Sequence, residues 1–288
     1  MPELPEVETV RRTLSGAVIG LRVSAVMIER AEVIRGDRRP RCLLEGLRLI
    51  AALRHGKRLA LIGAENGRRD DPGDCPAVGV HLGMSGWLMA LREGEAAERS
   101  DHVHLRWRLA GAADEAWGEM IFRDPRRFGG VWTYPTFNDL RREHWKGLGP
   151  DAASGAEVIA ERLLEFKRSN RSLKATLLDQ GVLAGVGNIY ADEALFDAGL
   201  RPQRRMRRVT ASDAQRLGLS LACVLEQAIA ANGSTVRDYR AAAGVAGAFQ
   251  ASHLVYGRGG RPCARCGGTL RSGIVAQRTT VWCPCCQR

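Results

Sequence analysis

Apolar residues Leu4, Val7, Val10, Leu14 and Val18 recur at spacings of three and four, which predicts an amphipathic helix over residues 4–19. Pro5 falls in its first turn, where a missing N–H costs no helical bond. Glu3, Glu6 and Glu8 suit the positive end of the helix dipole. From residue 21 to 134 the pattern changes to short apolar runs, such as 59–62, 78–80 and 103–107, bounded by Gly, Asp and Pro. That pattern predicts a β-sandwich or barrel, with residues 63–74 as a surface loop. Pro135, Gly147, Gly149, Pro150 and Gly155 mark a linker over 135–155. Helical periodicity returns over 156–168, 172–180, 189–197 and 211–231. Between two of these helices, residues 184–188 form a tight turn that offers backbone N–H groups, a natural place for a phosphate. From about residue 254 the chain is Gly- and Arg-rich with short strand-like runs. The expected fold is therefore α+β in two domains. Residues 1–134 form a helix plus β-sandwich and 135–155 a linker; 156–253 are helical, and 254–288 form a separate small module.

Charge adds a partner to this outline. The chain has 288 residues, 43 Lys and Arg against 32 Asp and Glu, and a formal net charge of +11. Such an excess suits a polyanion, because each phosphate contact releases condensed counterions. Beyond Asp238 no acidic side chain occurs, while Arg240, Arg258, Arg261, Arg265, Arg271, Arg278 and Arg288 do. A second basic cluster runs through Arg201, Arg204, Arg205, Arg207 and Arg208; a solvated loop is its plainer reading. A membrane surface is the competing partner, but no basic amphipathic helix with an aromatic face is visible. No apolar stretch approaches the roughly 18 residues of a membrane span, and the N-terminus lacks the marks of a secretory signal. A cytoplasmic protein with reduced or metal-bound cysteines is expected. No heptad or other self-association pattern appears, so a monomer is expected.

The cysteines supply the first chemistry. Cys263-x2-Cys266 and Cys283-x2-Cys286 are two knuckles with sixteen residues between them. This spacing fits one tetrahedral Zn2+. Four thiolates close the coordination shell, so such a zinc is structural. Cys285 could compete as a ligand, although the two-residue spacing favours Cys286. Cys42, Cys75 and Cys223 show no pairing pattern. In the hairpin between the knuckles, Arg278 has no acid nearby in sequence and can meet a phosphate.

The second chemistry begins at residue 2. Removal of Met1 would leave Pro2 with a free secondary amine. An α-amino group titrates near pH 8, roughly, far below lysine, so a nucleophilic fraction exists near neutrality. Attack on a sugar C1′ would give an iminium ion, an electron sink. Glu3 adjoins it and could act as general acid. On position alone the plainer reading, that Pro2 simply starts a helix, is the stronger one.

The run Pro2-Glu3-Leu4-Pro5-Glu6-Val7-Glu8 resembles the opening of the formamidopyrimidine-DNA glycosylase family. Six further motifs resemble that family in the same order: Arg54-His-Gly-Lys57, His81-Leu-Gly-Met-Ser-Gly86, Asp124-Pro-Arg-Arg-Phe-Gly129, Gly185-Val-Gly-Asn-Ile-Tyr-Ala191, Val255-Tyr-Gly-Arg258 and the ribbon ending in Cys286-Gln287. The resemblance implies a DNA glycosylase and abasic-site lyase acting on oxidised purines, with a helix–two-turn–helix and a zinc-finger hairpin. It implies Pro2 as Schiff-base nucleophile, Glu3 as the acid for sugar-ring opening, and Lys57 and Arg278 for the elimination steps and phosphate contact. Met84, Arg126 and Phe128 match residues that fill the gap left by an extruded base. Lys174 and Asn188 match DNA-contacting positions, Asn188 on a backbone phosphate. Core packing is the plainer reading of Met84 and Phe128. His81 and His102 have no role of their own in this reading.

Three departures stand out. Ser100-Asp101-His102 replaces a usual His-Asp-His, Ser169 and Asn170 stand where basic residues are common, and Gly244-Val-Ala-Gly-Ala-Phe249 replaces the usual Gly-Lys-Pro-Gly-Tyr-Phe. The nearest rival is the endonuclease VIII branch, which favours oxidised pyrimidines; Leu4 argues against it. A zinc-ribbon DNA-binding protein without catalysis would need the ribbon and the charge but not a free proline.

Overall fold

The computed structural model describes residues 2–65, 71–95, 101–234 and 247–288. Expectations about Ser100, Asp238, Arg240, residues 244–246 and most of the loop at 66–70 lie outside them. The chain divides into two compact units: one holds Pro2 and residues 6–146, the other Glu3–Pro5, 147–234 and 248–288.

Helix α1 spans Leu4–Val18, with all but its first two residues in the first unit. Its stripe of Val7, Val10, Leu14 and Val18 is buried in one cluster with strand residues, as the three–four spacing requires. The strands are β1 Arg22–Ile28, β2 Ile34–Arg35, β3 Arg48–His55, β4 Arg58–Ala64, β5 Ala77–His81, β6 Trp87–Arg92, β7 Val103–Ala110, β8 Ala116–Arg123 and β9 Gly130–Tyr134. They hydrogen-bond as one nine-stranded sheet in the order β2-β9-β5-β4-β3-β1-β7-β8-β6. The β1–β3 pairing is slight, Arg22 opposite Arg48, whereas β1 pairs along its length with β7. Two blocks thus meet at β1, and their inner faces share a core: Leu59, Val80 and Val131 from one, Leu105, Trp107 and Phe122 from the other. Fully buried Trp107 satisfies its indole N–H on the Leu43 carbonyl at 2.8 Å. Strand β4 runs on through Gly63 and Ala64, both buried, so the expected loop starts later than the glycine suggested.

The expected linker is also more ordered than its turn residues imply. Helix α2 spans Phe137–Glu143, capped by Thr136, whose hydroxyl accepts from the Asp139 N–H. Phe137 and Leu140 bury against Ala60, Ile62 and Ala77, with Trp145 edge-on to Phe137 at 5.4 Å. Pro135 and Gly147 bracket a short helix with an apolar face and do not open a spacer.

The second unit contains α3 Ala156–Glu165, α4 Leu173–Leu178, α5 Asn188–Asp197 and α6 Ala211–Ala230, then hairpin strands β10 Arg271–Val275 and β11 Arg278–Trp282. Gly218 lets α6 approach α3 closely: a β-carbon there would fall 2.4 Å from the Ala156 carbonyl oxygen. Thr210 and Asp213 form a reciprocal capping box at the start of α6. Phe196, Val255, Leu270 and Val281 form a cluster with Cys263 and Cys283. No described helix is long and apolar enough to cross a membrane.

One ion cluster ties α1 to β3. Glu8 accepts from Arg11 at 2.8 and 2.9 Å, Arg12 at 2.9 Å and Arg54 at 3.0 Å. Burial works to raise its pKa, but these guanidinium bonds outweigh it and hold the carboxyl at about 2, against an ordinary 4.5. The folded state therefore gains stability above pH 4.5 that is lost as pH falls toward 2. Allowing for solvent screening, we expect about 1–2 kcal/mol near neutrality. The gap in urea unfolding free energy between the parent and Glu8→Gln should be widest near neutral pH and narrow in acid. A pH-independent gap would contradict this.

Candidate active site and nucleic-acid surface

Glu3 is buried against the N-terminus of α5. Its Oε1 accepts the Ile189 N–H at 3.0 Å, and Oε2 lies 3.4 Å from the Tyr190 nitrogen. First-turn amides lack intrahelical partners, so they are available to hold the Glu3 oxygens in place. The turn before the helix is shaped around this contact. At Gly187 a β-carbon would fall 2.2 Å from the Glu3 carboxyl carbon. At Gly185, with φ of 108°, it would fall 2.5 Å from Leu4 Cδ1, and the Leu4 N–H donates to the Gly185 carbonyl at 3.1 Å. Just beyond the 184–188 turn, expected to offer N–H groups to a phosphate, the amides of Ile189 and Tyr190 are occupied by the chain's own carboxylate. Pro2, also buried, adjoins Glu3 covalently.

Around the same helix end stand three other expected residues. Asn188 donates its side-chain N–H to the Thr279 carbonyl at 2.9 Å, tying α5 to the first turn of β11. Arg278, exposed at the start of β11, has no carboxylate within ion-pair distance among the described residues. The turn preceding it, Ala276 and Gln277, has φ of 51° and 60°, which closes the hairpin without glycine. Lys174 departs from its expected role. It is 0% exposed, with its amine 2.6 Å from Asp192 Oδ1 and 2.7 Å from the Thr280 hydroxyl. No surface remains on it for a phosphate. Its hydrogen bonds link α4 to α5 and to the hairpin.

Sequence reasoning missed the acids on α5. Asp192 also accepts the Val281 N–H at 3.1 Å. Burial raises its pKa to about 6 against the pull of Lys174. Burial likewise lowers Lys174, with Asp192 opposing. Glu193 accepts the consecutive amides of Leu254, Val255 and Tyr256 at 2.7–3.0 Å. Its pKa is still raised, because burial outweighs these bonds. Tyr256 is raised by burial and by the nearby Glu3 carboxylate. Only the sequence Asp192-Glu193 within an otherwise apolar helix face hinted at these contacts.

The first unit presents a separate surface. Met84 is 39% exposed and Phe128 57%, so core packing is excluded for both. The Arg126 guanidinium lies 4.9 Å from the Phe128 ring centre. Asp124, a residue without an expected role, locks the two turns together. Its Oδ1 accepts the Ser85 hydroxyl and its Oδ2 the Gly129 N–H, each at 2.7 Å. Gly83, with φ of 61°, allows the close approach; a β-carbon would sit 2.4 Å from the Gly129 nitrogen. Three exposed side chains thus stand on a rigid pair of turns. Lys57 follows Gly56 in the tight β3–β4 turn and is largely buried. His81 is held uncharged to about pH 4, chiefly by burial and then by Arg58 and Lys57. His102 is exposed, 3.2 Å from Asp101.

Cys263, Cys266, Cys283 and Cys286 converge, their sulfurs within 4.8 Å of one another, a cluster able to hold a metal ion. Backbone N–H groups of Arg265 and Cys286 point at the sulfurs of Cys263 and Cys283 at 3.4 Å, as fits anionic thiolates. Cys285 stands outside this group and is exposed.

A β-rich unit with an exposed Met–Arg–Phe surface, joined to a helical unit with a four-cysteine hairpin, defines a class of α+β protein. The model of the formamidopyrimidine-DNA glycosylase N-terminal domain matches residues 1–131, and that of its H2TH domain matches residues 148–240. The chain is 37% identical over 289 residues to formamidopyrimidine-DNA glycosylase of Desulfitobacterium hafniense, covering all of both chains. The crystal structure of the MutM (Fpg) protein of Thermus thermophilus superposes with a TM-score of 0.81 at 38% identity, covering 99% of this chain and 98% of that one. A Lactococcus lactis Fpg mutant in complex with DNA containing Fapy-dG gives a TM-score of 0.84 at 30% identity over all of both chains. The chain belongs to the formamidopyrimidine-DNA glycosylase family.

The buried pair yields a prediction. In Asp192→Asn the Lys174 ammonium loses its counter-charge in the interior, at an expected cost of about 3–5 kcal/mol. Lys174→Met should cost less in mild acid than at neutral pH, because the Asp192 carboxyl left behind can take up a proton. Urea unfolding of both variants across pH checks this; equal, pH-independent costs would contradict it.

Proposed function

We propose that this chain is a bifunctional DNA glycosylase and abasic-site lyase that removes oxidised purines from duplex DNA and then cuts the strand. The observation that carries this reading is the Glu3 carboxylate, fixed on the α5 amides directly beside Pro2. After loss of Met1, the Pro2 nitrogen attacks C1′ of the damaged nucleotide and the base departs with a proton. Glu3 delivers a proton to the ring oxygen, so the sugar opens to an iminium ion on Pro2. The iminium acidifies C2′. Loss of that proton, with Lys57 as carrier, expels the 3′ phosphate. A second elimination, assisted by Arg278, expels the 5′ phosphate, and water releases the sugar fragment from Pro2.

The reacting carbon is hidden in a stacked duplex, so the nucleotide must be extruded first. Met84 and Phe128 wedge into the space it leaves, and Arg126 donates to the unpaired cytosine. Asn188 and Arg278 hold backbone phosphates. Lys174 acts indirectly, by fixing the hairpin that carries Arg278. Four cysteine thiolates at mutual distances within 4.8 Å suit one structural Zn2+. The protein works as a monomer in the cytoplasm.

Borohydride reduction on a duplex with 8-oxoguanine opposite cytosine should leave a covalent adduct that maps to Pro2. Tight binding without an adduct would remove the catalytic reading. An adduct formed only on an oxidised-pyrimidine duplex would change the substrate class. Metal analysis should find one zinc per chain. Its removal should abolish nicking by releasing the hairpin, since Cys263 and Cys283 pack in the cluster with Phe196 and Val281; nicking that survives full chelation would contradict this.

A further inference from the structure

A cleft of about 590 Å3 in the second unit is lined by Arg201, Arg204, Arg205, Arg207, Arg208 and Arg288, with Gln203. None of the chemistry above uses it. The segment is not a slack loop. Met206 is fully buried and its N–H donates to the Arg171 carbonyl at 3.0 Å. The Leu173 N–H binds the Arg204 carbonyl at 2.7 Å, and the Arg207 N–H the Ser169 carbonyl at 3.2 Å. The Arg201 N–H donates to the Arg288 main-chain oxygen at 3.1 Å, and the Arg288 N–H to the Gly199 carbonyl at 3.0 Å. The backbone therefore fixes where the arginines start.

Their charge is only partly compensated, and the Arg204 guanidinium also reaches the Arg288 main-chain oxygen at 3.5 Å. Asp213 pairs with Arg204 at 2.7 Å but also with Arg216 at 2.7 Å. Arg201 and Arg205 bond only to neutral carbonyls, those of Gln287, Pro284 and Asn170. Arg207, Arg208 and Arg288 make no side-chain hydrogen bond or ion pair among the described residues. Clustered like charges repel, and an anion would relieve that repulsion. The cleft adjoins Gly199, beyond the C-terminal end of α5. The ten residues of α5 separate it from Asn188, about 15 Å along the axis.

The lining also narrows the ligand. It contains no aromatic ring on which the bases of single-stranded nucleic acid could stack. It has no apolar wall for an amphipathic peptide. Guanidinium forks match phosphate oxygens in pairs, and an open concave space of this size suits a compact anion better than a rod-like duplex. We propose that the cleft binds a chain of condensed phosphates, as inorganic polyphosphate or as the triphosphate of a nucleotide.

Calorimetric titration of the metal-loaded full chain with inorganic tripolyphosphate tests this, with and without a saturating, uncleavable lesion-analogue duplex. One tripolyphosphate should bind per chain in both cases. Arg207→Ala/Arg208→Ala should weaken it at least tenfold, as should Arg288→Ala, which lies outside the 206–208 turn. Nicking of an oxidised-purine duplex should be unchanged in both variants. Equal affinity for tripolyphosphate and ATP would support the proposal with the inorganic chain as source; tighter ATP binding would support it with a nucleotide as source. Displacement of tripolyphosphate by the duplex, undiminished binding by the variants, or tighter binding of polyglutamate of equal charge would each overturn it.

Discussion

The contact between the Glu3 carboxylate and the first-turn amides of α5 organises the second unit. A helix N-terminus offers unpaired amides to oxygen acceptors, and here the acceptor is covalently part of the chain. Its place depends on two glycines, Gly185 and Gly187, because any side chain there would collide with Leu4 or Glu3. It also depends on α5 being held still. Asn188 binds the hairpin backbone, Asp192 binds Val281, and Glu193 binds the three amides at 254–256. The acid beside Pro2 is thus as well placed as the hairpin is rigid, and the hairpin rests on its four clustered cysteines. A structural metal there would bear on catalysis without touching substrate.

Buried charge is used in the same way. Lys174 and Asp192 lie fully inside, where desolvation opposes both ionised forms. A hydrophobic pair would cost less. What the ion pair adds is direction: its hydrogen bonds to Thr280 and Val281 fix how the hairpin meets α5. Asp124 does the equivalent in the first unit, where one carboxylate sets the relation of the Met84 and Phe128 turns. Exposed apolar side chains can stay splayed toward solvent because the backbone beneath them is over-determined.

Some of this was legible along the chain, and some was not. Helix α1 was legible because a one-sided helix must repeat its apolar residues at three and four. The four cysteines were legible because metal ligation fixes their spacing. Pro2 and Glu3 were legible as chemistry, but the partner of Glu3 lies 186 residues away, beyond any local pattern. Lys174 read as a DNA contact because it resembles one; its burial comes from Asp192 and from Thr280, 106 residues on. Helix α2 was hidden by the turn residues around it, although Thr136 and Asp139 spelled out its cap. Met84 and Phe128 read locally as core; the family resemblance set them at the DNA instead, and the fold shows both exposed.

Gly187→Ala tests the central claim most directly, because its β-carbon would displace the Glu3 carboxyl and leave Pro2, the cysteines and the Met84 and Phe128 turns intact. The measurement is single-turnover excision of 8-oxoguanine, taken beside lesion-duplex affinity and thermal unfolding. A loss of about a hundredfold or more in excision rate, within the range of a misplaced general acid, with affinity and unfolding little changed, is the predicted result. Excision near the parent rate would contradict the account, since the Glu3–α5 contact would then not govern the chemistry.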